Sequence, residues 1–230
     1  PVGVSIPEFI TALADGNLRE AARILTRDNA LPAVCGRVCP QETQCEAKCV
    51  RGIKGEPVAI GYLERFVADW ATANAAELGD EPLPPSTGRR VAVVGCGPAG
   101  LTAAGELARK GHGVTIFEAL HDTGGVLRYG IPEFRLPKTI IDAEVARLLA
   151  LGVTVECNVI IGKTLTLAQL REEFDAVFIA NGAGLPVMLS IPGENLKGVY
   201  SANEYLTRVN LMGAGRDPDS TTPIIAGKRV

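Results

Sequence analysis

Apolar positions change their spacing partway along the chain. Up to about residue 75 they recur at helical intervals. Ser5 and Glu8 form a capping-box pair with Pro7 between them, which predicts a helix beginning near Ile6; Asn17 and Glu20 repeat the pattern before a second helix through about Leu25. Phe9, Ile10, Leu13, Ile24 and Leu25 would form the core of this small helical unit. Residues 55–75 read as a turn and a long helix with Ile60, Leu63, Phe66, Val67 and Trp70 on one face, and Trp70 is assigned to the core. Residues 79–88 (GDEPLPPSTG) are a proline-rich linker. Beyond it, short apolar runs at 91–94, 113–117, 153–161 and 176–180 read as strands. Helical patterns separate them, one opening at Pro98 and others at 139–151 and 165–174. Residues 126–138 (VLRYGIPEFRLPK) hold two prolines and a glycine and are expected to be a loop rather than helix or strand. The fold class is α/β: an α-helical domain over 1–80, a linker over 81–88, and a Rossmann-like domain over 89–230.

The first strand of that second domain runs into Gly95, Gly97 and Gly100, spaced G-x-G-x-x-G, with Pro98 and Ala99 at the start of the following helix. The first glycine makes the tight turn, the second admits a pyrophosphate close to the backbone, and the third lets helix and strand pack closely. The helix N-terminus then faces the phosphates with free N–H groups. The second strand ends at Glu118, about 20 residues on, where a carboxylate can accept bonds from a ribose 2′-OH and repels a 2′-phosphate. On this physics alone FAD and NAD both stay open. Gly124 and Gly125 follow the acid at the spacing of FAD-binding flavoproteins similar to the disulfide reductases, and that resemblance implies FAD. A second glycine-rich turn, Asn181-Gly182-Ala183-Gly184, closes the last strand at the same edge.

Charge and composition narrow the partners. A net charge of −3 without a basic run argues against nucleic acid, and no apolar stretch approaches the ~18 residues of a membrane span. The chain starts at Pro1 with neither methionine nor a signal-peptide pattern, which reads as a fragment or a processed start, and a cytoplasmic location is expected. Four of its six cysteines, Cys35, Cys39, Cys45 and Cys49, are spaced C-x3-C-x5-C-x3-C. With no export signal, metal ligation is favoured over disulfides. A structural zinc site would use four thiolates equally well, while the proline after Cys39 and the compact loop favour iron and sulfide. Glu64, among the apolar positions of its helix, reads by itself as a solvated carboxylate. Cys96 and Cys157 read as small buried residues, and His112 and His121 as surface residues near turns.

Taken in order, the cysteine cluster, the linker, the G-x-G-x-x-G turn, GGVLRYGIPEFRLPK and IANGAG resemble the glutamate synthase small-subunit family. Its relatives include the large subunit of NADH-dependent ferredoxin:NADP oxidoreductase and the N-terminal half of dihydropyrimidine dehydrogenase. QETQCEAKCVRGIKGEPVAIGYLERF and YSANEYLTRVNLMGA are most similar to the ferredoxin:NADP oxidoreductase subunit.

The resemblance implies two 4Fe–4S clusters ahead of an FAD domain that carries an inserted NADPH domain. Carried over, Cys39 and Cys45 ligate one cluster, with Glu64 where relatives supply a glutamate or glutamine ligand, and Cys49 belongs to the other. Cys35 matches a family cysteine that need not be a ligand. Gly95, Gly97, Pro98, Ala99, Gly100, Glu118, Gly124, Gly125, Val126 and Gly182 fall to the FAD site, with Arg135 as an FAD-contacting arginine and Val159 where a strand passes the adenine. The family's remaining cluster cysteines and its NADPH domain are expected outside this chain, leaving the ligand set incomplete. Residues 227–230 (GKRV) echo 88–91 (GRRV) and read as the lead-in to a second nucleotide-binding domain.

The implied activity is electron transfer between NAD(P)H and a partner through FAD and iron–sulfur clusters, with no catalytic side chain assigned. The partner would be a larger subunit, either a glutamate synthase large subunit or a ferredoxin-linked flavoprotein subunit. The alternative is a partner-binding subunit or fragment without functional cofactors.

Overall fold

The computed structural model describes residues 3–79, 83–217 and 219–224. Residues 81–82 of the linker and the 227–230 echo lie outside the described residues.

The N-terminal part folds as α1 (Ile6–Ala14), α2 (Leu18–Asp28), α3 (Pro32–Val38), α4 (Ile60–Ala73) and the short α5 (Ala75–Leu78), with 3-10 turns carrying the cysteines between α3 and α4. Phe9, Leu25 and Val67 are fully buried at its centre, with Ile10, Leu13 and Trp70 packed partly buried around them. Ser5 occupies the N-cap of α1, yet its hydroxyl makes no capping bond. Its N–H donates instead to Asp28 at 2.9 Å, and Arg27 reaches both Ser5 and Glu8. The end of α2 is thereby fastened to the start of α1, which is why α2 runs on to Asp28 rather than stopping near Leu25. Arg27 in turn holds the Asp28 carboxyl at about 2. Asn17 does cap α2, accepting from the Glu20 N–H at 3.1 Å. Phe66 departs from the expected stripe and is 53% exposed, because the buried face of α4 follows Ile60, Leu63, Val67 and Trp70.

The second part contains β1 (Arg90–Val94), α6 (Pro98–Arg109), β2 (Gly113–Phe117), α7 (Val126–Tyr129), α8 (Lys138–Ala150), β3 (Thr154–Glu156), α9 (Leu167–Glu173), β4 (Ala176–Ile179) and α10 (Ala202–Leu206), the last continuing into a π-helical turn, Thr207–Leu211. All strand pairs are parallel, in the order β3-β2-β1-β4, with Val91 opposite both Val114 and Ala176. Consecutive strands lie side by side from β1 out to β3, and the chain then returns to the far side of β1. The carboxyl ends of β1 and β4 therefore flank a topological switch point, where open α/β sheets bind ligands.

Two expected elements differ. The strand read over 153–161 pairs with β2 only over Thr154–Glu156, since Asn158 turns to φ 61° and sends its N–H to Leu120. The loop read over 126–138 begins with one helical turn, α7, because Gly125 enters at φ 52° and the Tyr129 and Gly130 N–H groups close back on Gly125 and Val126 while Leu127 is buried.

On one face of the sheet Val93 and Ile116 pack with Leu101, Ile141 and Leu148. Ala30, Leu31 and Val34 from the N-terminal part enter this same cluster, so α3 is packed onto α8. The other face is covered by α9 through Leu170, set against Ala92 and Phe117.

The α3–α8 contact has a polar centre. Glu144 on α8 is 5% exposed; one of its oxygens accepts from the Ala33 N–H in the first turn of α3 at 2.8 Å and the other from Arg147 at 2.6 Å. Arg147 also donates to the Ala30 carbonyl. The orphan donors of a helix N-terminus need such partners when buried. Burial raises the Glu144 carboxyl above its usual 4.5, against the opposing pull of Arg147 and of the α3 N–H groups.

Glu144→Ala leaves a buried N–H unpaired and removes the carboxylate partner of Arg147, and is expected to cost about 2–4 kcal/mol in urea unfolding. The folded state keeps this proton in a range where the unfolded chain has released it. The stabilisation from Glu144 is therefore complete below about pH 4.5 and declines as the pH rises through the raised value. The stability gap between wild type and Glu144→Gln should accordingly narrow from pH 5 to pH 8; a gap that widens contradicts this.

Candidate functional site

The first candidate site forms at the carboxyl edge of the sheet. Gly95 leaves β1 at φ 104°, and a Cβ there would meet the Ala180 carbonyl oxygen at 2.4 Å. The turn after β1 thus lies directly against the chain leaving β4. A Cβ on Gly100 would stand 1.9 Å from the Gly95 oxygen, closer than any side chain can approach. Gly97, the N-cap of α6, is different: a Cβ on it would meet nothing within 4 Å. Gly95 and Gly100 are therefore required by the protein's own packing, whereas Gly97 opens onto free space. Pro98 and Ala99 follow in the first turn of α6, whose N–H groups have no intrahelical partner.

Glu118 stands at the end of β2 and is 6% exposed. Its carboxylate accepts from the Cys96 N–H at 2.7 Å and the Leu120 N–H at 2.8 Å, tying the glycine turn to the loop after β2. Its main chain bonds Glu156 and Val159, which draws the β3 end of the sheet into the same corner. Gly124 (φ 103°) donates its N–H to the Cys96 carbonyl at 3.0 Å, and a Cβ on Gly125 would lie 2.9 Å from Gly97 Cα. The loop after β2 consequently lies on the glycine turn and walls one side of the open space.

Of the remaining residues assigned to this site, Val126 is 43% exposed at the start of α7. Val159 donates its N–H to the Glu118 carbonyl, and its side chain packs partly buried beside Ala92 and Phe117. Gly182 follows β4 at φ 67° in open surroundings. Arg135 is exposed on the loop before α8.

Sequence reasoning missed two cations that build this edge. Arg128, 8% exposed, donates to the Thr123 carbonyl and pairs with Asp122 and Asp142, joining the loop after β2 to α7 and α8. Lys138 donates to the carbonyls of Leu127, Ile131 and Leu136, so one ammonium gathers the turn of the proline-containing loop. Burial pushes the Lys138 pKa down. The available signal was a cation inside a glycine- and proline-rich loop, whose carbonyls find few partners within the loop itself.

The second candidate site lies between α3 and α4. Cys35 and Cys39 interact directly: Cys35 is pushed up by Cys39 and by burial, and Cys39 is drawn down by its bond from Cys35. The Glu64 charge opposes ionisation of both Cys39 and Cys45, so the three groups lie within electrostatic reach of one another. Glu64 itself is pushed up to about 7, by burial first and by Cys35 second. Cys49 is separate; its sulfur accepts from the Val58 N–H at 3.4 Å, and backbone N–H groups draw its pKa down. The cysteine-bearing segment is held by polar contacts to both flanking helices: Glu46 accepts from the Gly61 N–H of α4 at 3.0 Å, and Gln41 donates to the Cys35 carbonyl of α3 at 2.8 Å.

Among the described residues no three His, Cys, Asp or Glu side chains converge on a single ion. A four-iron cubane asks for something else, one protein ligand per iron, with the ligands standing around a cage rather than meeting at a point. Two thiols and a carboxylate in this part of the fold fit, as donor types, part of such a set. The open face of Gly97, with the first turn of α6 and a carboxylate beside it, fits the pyrophosphate and ribose of a dinucleotide.

Comparison with known proteins assigns a family to each part of the chain. Residues 1–76 match the family described as dihydropyrimidine dehydrogenase domain II, 4Fe-4S cluster, and residues 89–225 match the pyridine nucleotide-disulphide oxidoreductase family. The chain is 41% identical along its whole length to the glutamate synthase (NADPH) small chain of Mycobacterium tuberculosis, covering 47% of that protein. It is 45% identical over 78% of its length to the NAD-dependent dihydropyrimidine dehydrogenase subunit PreT of Escherichia coli O157:H7, covering 44% of that subunit. Over 92% of its length it is 40% identical to the NADP(+)-dependent formate dehydrogenase subunit beta of Moorella thermoacetica, covering 33% of that subunit. It thus spans less than half the length of these curated relatives. No helix among the described residues is long and apolar enough to cross a membrane. The chain belongs to the pyridine nucleotide-disulphide oxidoreductase family, and is a homologue of glutamate synthase small chains with a domain of the dihydropyrimidine dehydrogenase 4Fe-4S type at its N-terminus.

Proposed function

We propose that this chain forms the FAD-binding and cluster-binding part of an NAD(P)H-dependent oxidoreductase subunit, passing electrons between NAD(P)H and a larger partner subunit in the cytoplasm. The observation that carries this reading is the glycine turn: Gly95 and Gly100 are closed by packing, Gly97 is open, and Glu118 stands beside them. The helical residues 1–80 would present the clusters, 81–88 would link, and 89–230 would hold the flavin nucleotide.

FAD, when bound, accepts a hydride's two electrons together and releases them singly, which suits it to stand between a nicotinamide and iron–sulfur clusters. The chain's own residues bind and orient. Gly97 would let the pyrophosphate approach the backbone, and the Ala99 and Gly100 N–H groups would be available to its oxygens. Glu118 uses one acceptor position on each oxygen for Cys96 and Leu120 and keeps further lone pairs for ribose hydroxyls. Gly124, Gly125 and Val126 would wall the site, Val159 would border the adenine half, and Gly182 and Arg135 would contact the remainder. Cys39, Cys45 and Glu64 would serve one 4Fe–4S cluster and Cys49 the other, each set completed by ligands from outside this stretch. The identities with the glutamate synthase small chain and PreT support a partner subunit, and the nicotinamide would be held by a further domain.

Two sets of variants of the full-length protein test the flavin site. Gly97→Ala fits its backbone at φ −76° and its surroundings, so stability should stay within ~0.5 kcal/mol while FAD affinity falls about 10-fold or more. Gly100→Ala should instead cost about 3 kcal/mol of stability, because it overpacks the turn. Equal FAD affinity in wild type and Gly97→Ala contradicts the assignment. Glu118→Ala should raise the FAD dissociation constant roughly 10–100-fold, the weight of charged hydrogen bonds to a sugar. Unchanged flavin retention would remove Glu118 from the site.

A further inference from the structure

Asn29, which follows α2, sits at a junction that neither the cysteine motif nor the nucleotide motif includes. Its side-chain oxygen accepts from the Leu31 N–H at 2.9 Å, satisfying a donor at the entry to α3, and lies 3.8 Å from the Cys35 sulfur. That bond fixes which way the amide points: with its oxygen committed to an N–H group, its NH2 must face the opposite way. There it donates to Glu64 Oε1 at 2.9 Å. One amide therefore joins the end of α2, the entry to α3 and a carboxylate of α4. The entry to α3 is fixed from its other side by Glu144 on Ala33, so the amide is seated on a rigid base.

We propose that Asn29 is a positioning residue for Glu64. By holding Oε1, it fixes the orientation of the carboxylate and leaves the second oxygen for iron. This rests on the reading of Glu64 as a cluster ligand. Partners of this kind, hydrogen-bonded to a metal ligand rather than to the metal, orient the ligand and commonly carry a 10–100-fold effect on metal affinity.

The amide's polarity supplies the test. Asn29→Asp keeps the shape and the acceptor for Leu31, so the donor at the entry to α3 stays satisfied. It replaces the NH2 facing Glu64 by a carboxylate oxygen, turning attraction into repulsion. In the full-length holoprotein, Asn29→Asp should release iron to a chelator roughly 10-fold faster than wild type and alter the electron-paramagnetic-resonance signal of the reduced cluster. Adding Glu64→Gln to the Asn29→Asp background restores a donor–acceptor pair with the roles exchanged. The amide introduced on α4 donates its NH2 to the carboxylate introduced after α2, and turns its carbonyl oxygen to the iron. The double variant should therefore recover most of the wild-type iron retention, a rescue that a general loss of packing would not show.

Glu64→Ala separates the two ideas. If Glu64→Ala loses iron while Asn29→Asp behaves as wild type, Glu64 is a ligand that needs no positioning by Asn29 and the proposal is overturned. If Glu64→Ala itself retains iron and spectrum, the ligand reading fails and the proposal falls with it. If Asn29→Asp loses iron and Glu64→Gln fails to rescue it, Asn29 acts through something other than Glu64, and the proposal is again overturned.

Discussion

One buried carboxylate holds the nucleotide edge together. Glu118 bonds the N–H groups of Cys96 and Leu120, so the turn after β1 and the loop after β2 share a single anion. The glycine turn stands where it does because Gly95 is pressed against Ala180 and Gly100 against Gly95, and Glu118 then fixes the other side of the same turn. Arg128 and Lys138 extend the arrangement outward, since each satisfies carbonyls that a glycine- and proline-rich loop cannot pair by itself. The result is a rigid rim with one open face, at Gly97. A dinucleotide bound as proposed would meet preformed N–H donors there without first having to order a loop, which would lower the entropic cost of binding.

The cysteine-bearing part is joined to this rim through α3. Apolar contacts from Ala30, Leu31 and Val34 enter the core beneath the sheet, and Glu144 and Arg147 add polar bonds to the same helix entry. Cys35 lies on α3, Cys39 caps its end, and Asn29 connects its start to Glu64. The helix between Asn29 and Cys39 is thus gripped by α8, the helix that packs beneath the sheet. For one-electron transfer, in which separation and orientation set the rate, this shared packing matters more than any acid–base group, and none is needed in the proposed activity.

Much of this was legible in the sequence because it rests on local rules. The glycine spacing, the two short apolar runs and the acid at the end of the second specify strand, turn, helix and strand without long-range information, and β1, α6 and β2 follow. Asn17 capping α2 is equally local. What the sequence concealed depends on contacts between distant residues. Ser5 has the composition of a cap, yet Asp28 takes its N–H from far along the chain. Glu144 looks like one more carboxylate on an amphipathic helix; only the arrival of α3 makes it a buried partner. The strand read at 153–161 ends early because Asn158 adopts a left-handed conformation, which asparagine tolerates but apolar periodicity cannot report. Asn29 was silent for the same reason: its role exists only where three helices meet.

Amide hydrogen exchange of the full-length protein, stripped of flavin and then reloaded with FAD, tests the central claim most directly. The account predicts that FAD slows exchange chiefly at Ala99 and Gly100 in the first turn of α6 and at Gly124 and Gly125, the peptides around the open face of Gly97. FAD that binds while these amides exchange at an unchanged rate, with protection confined to other parts of the protein, would contradict it.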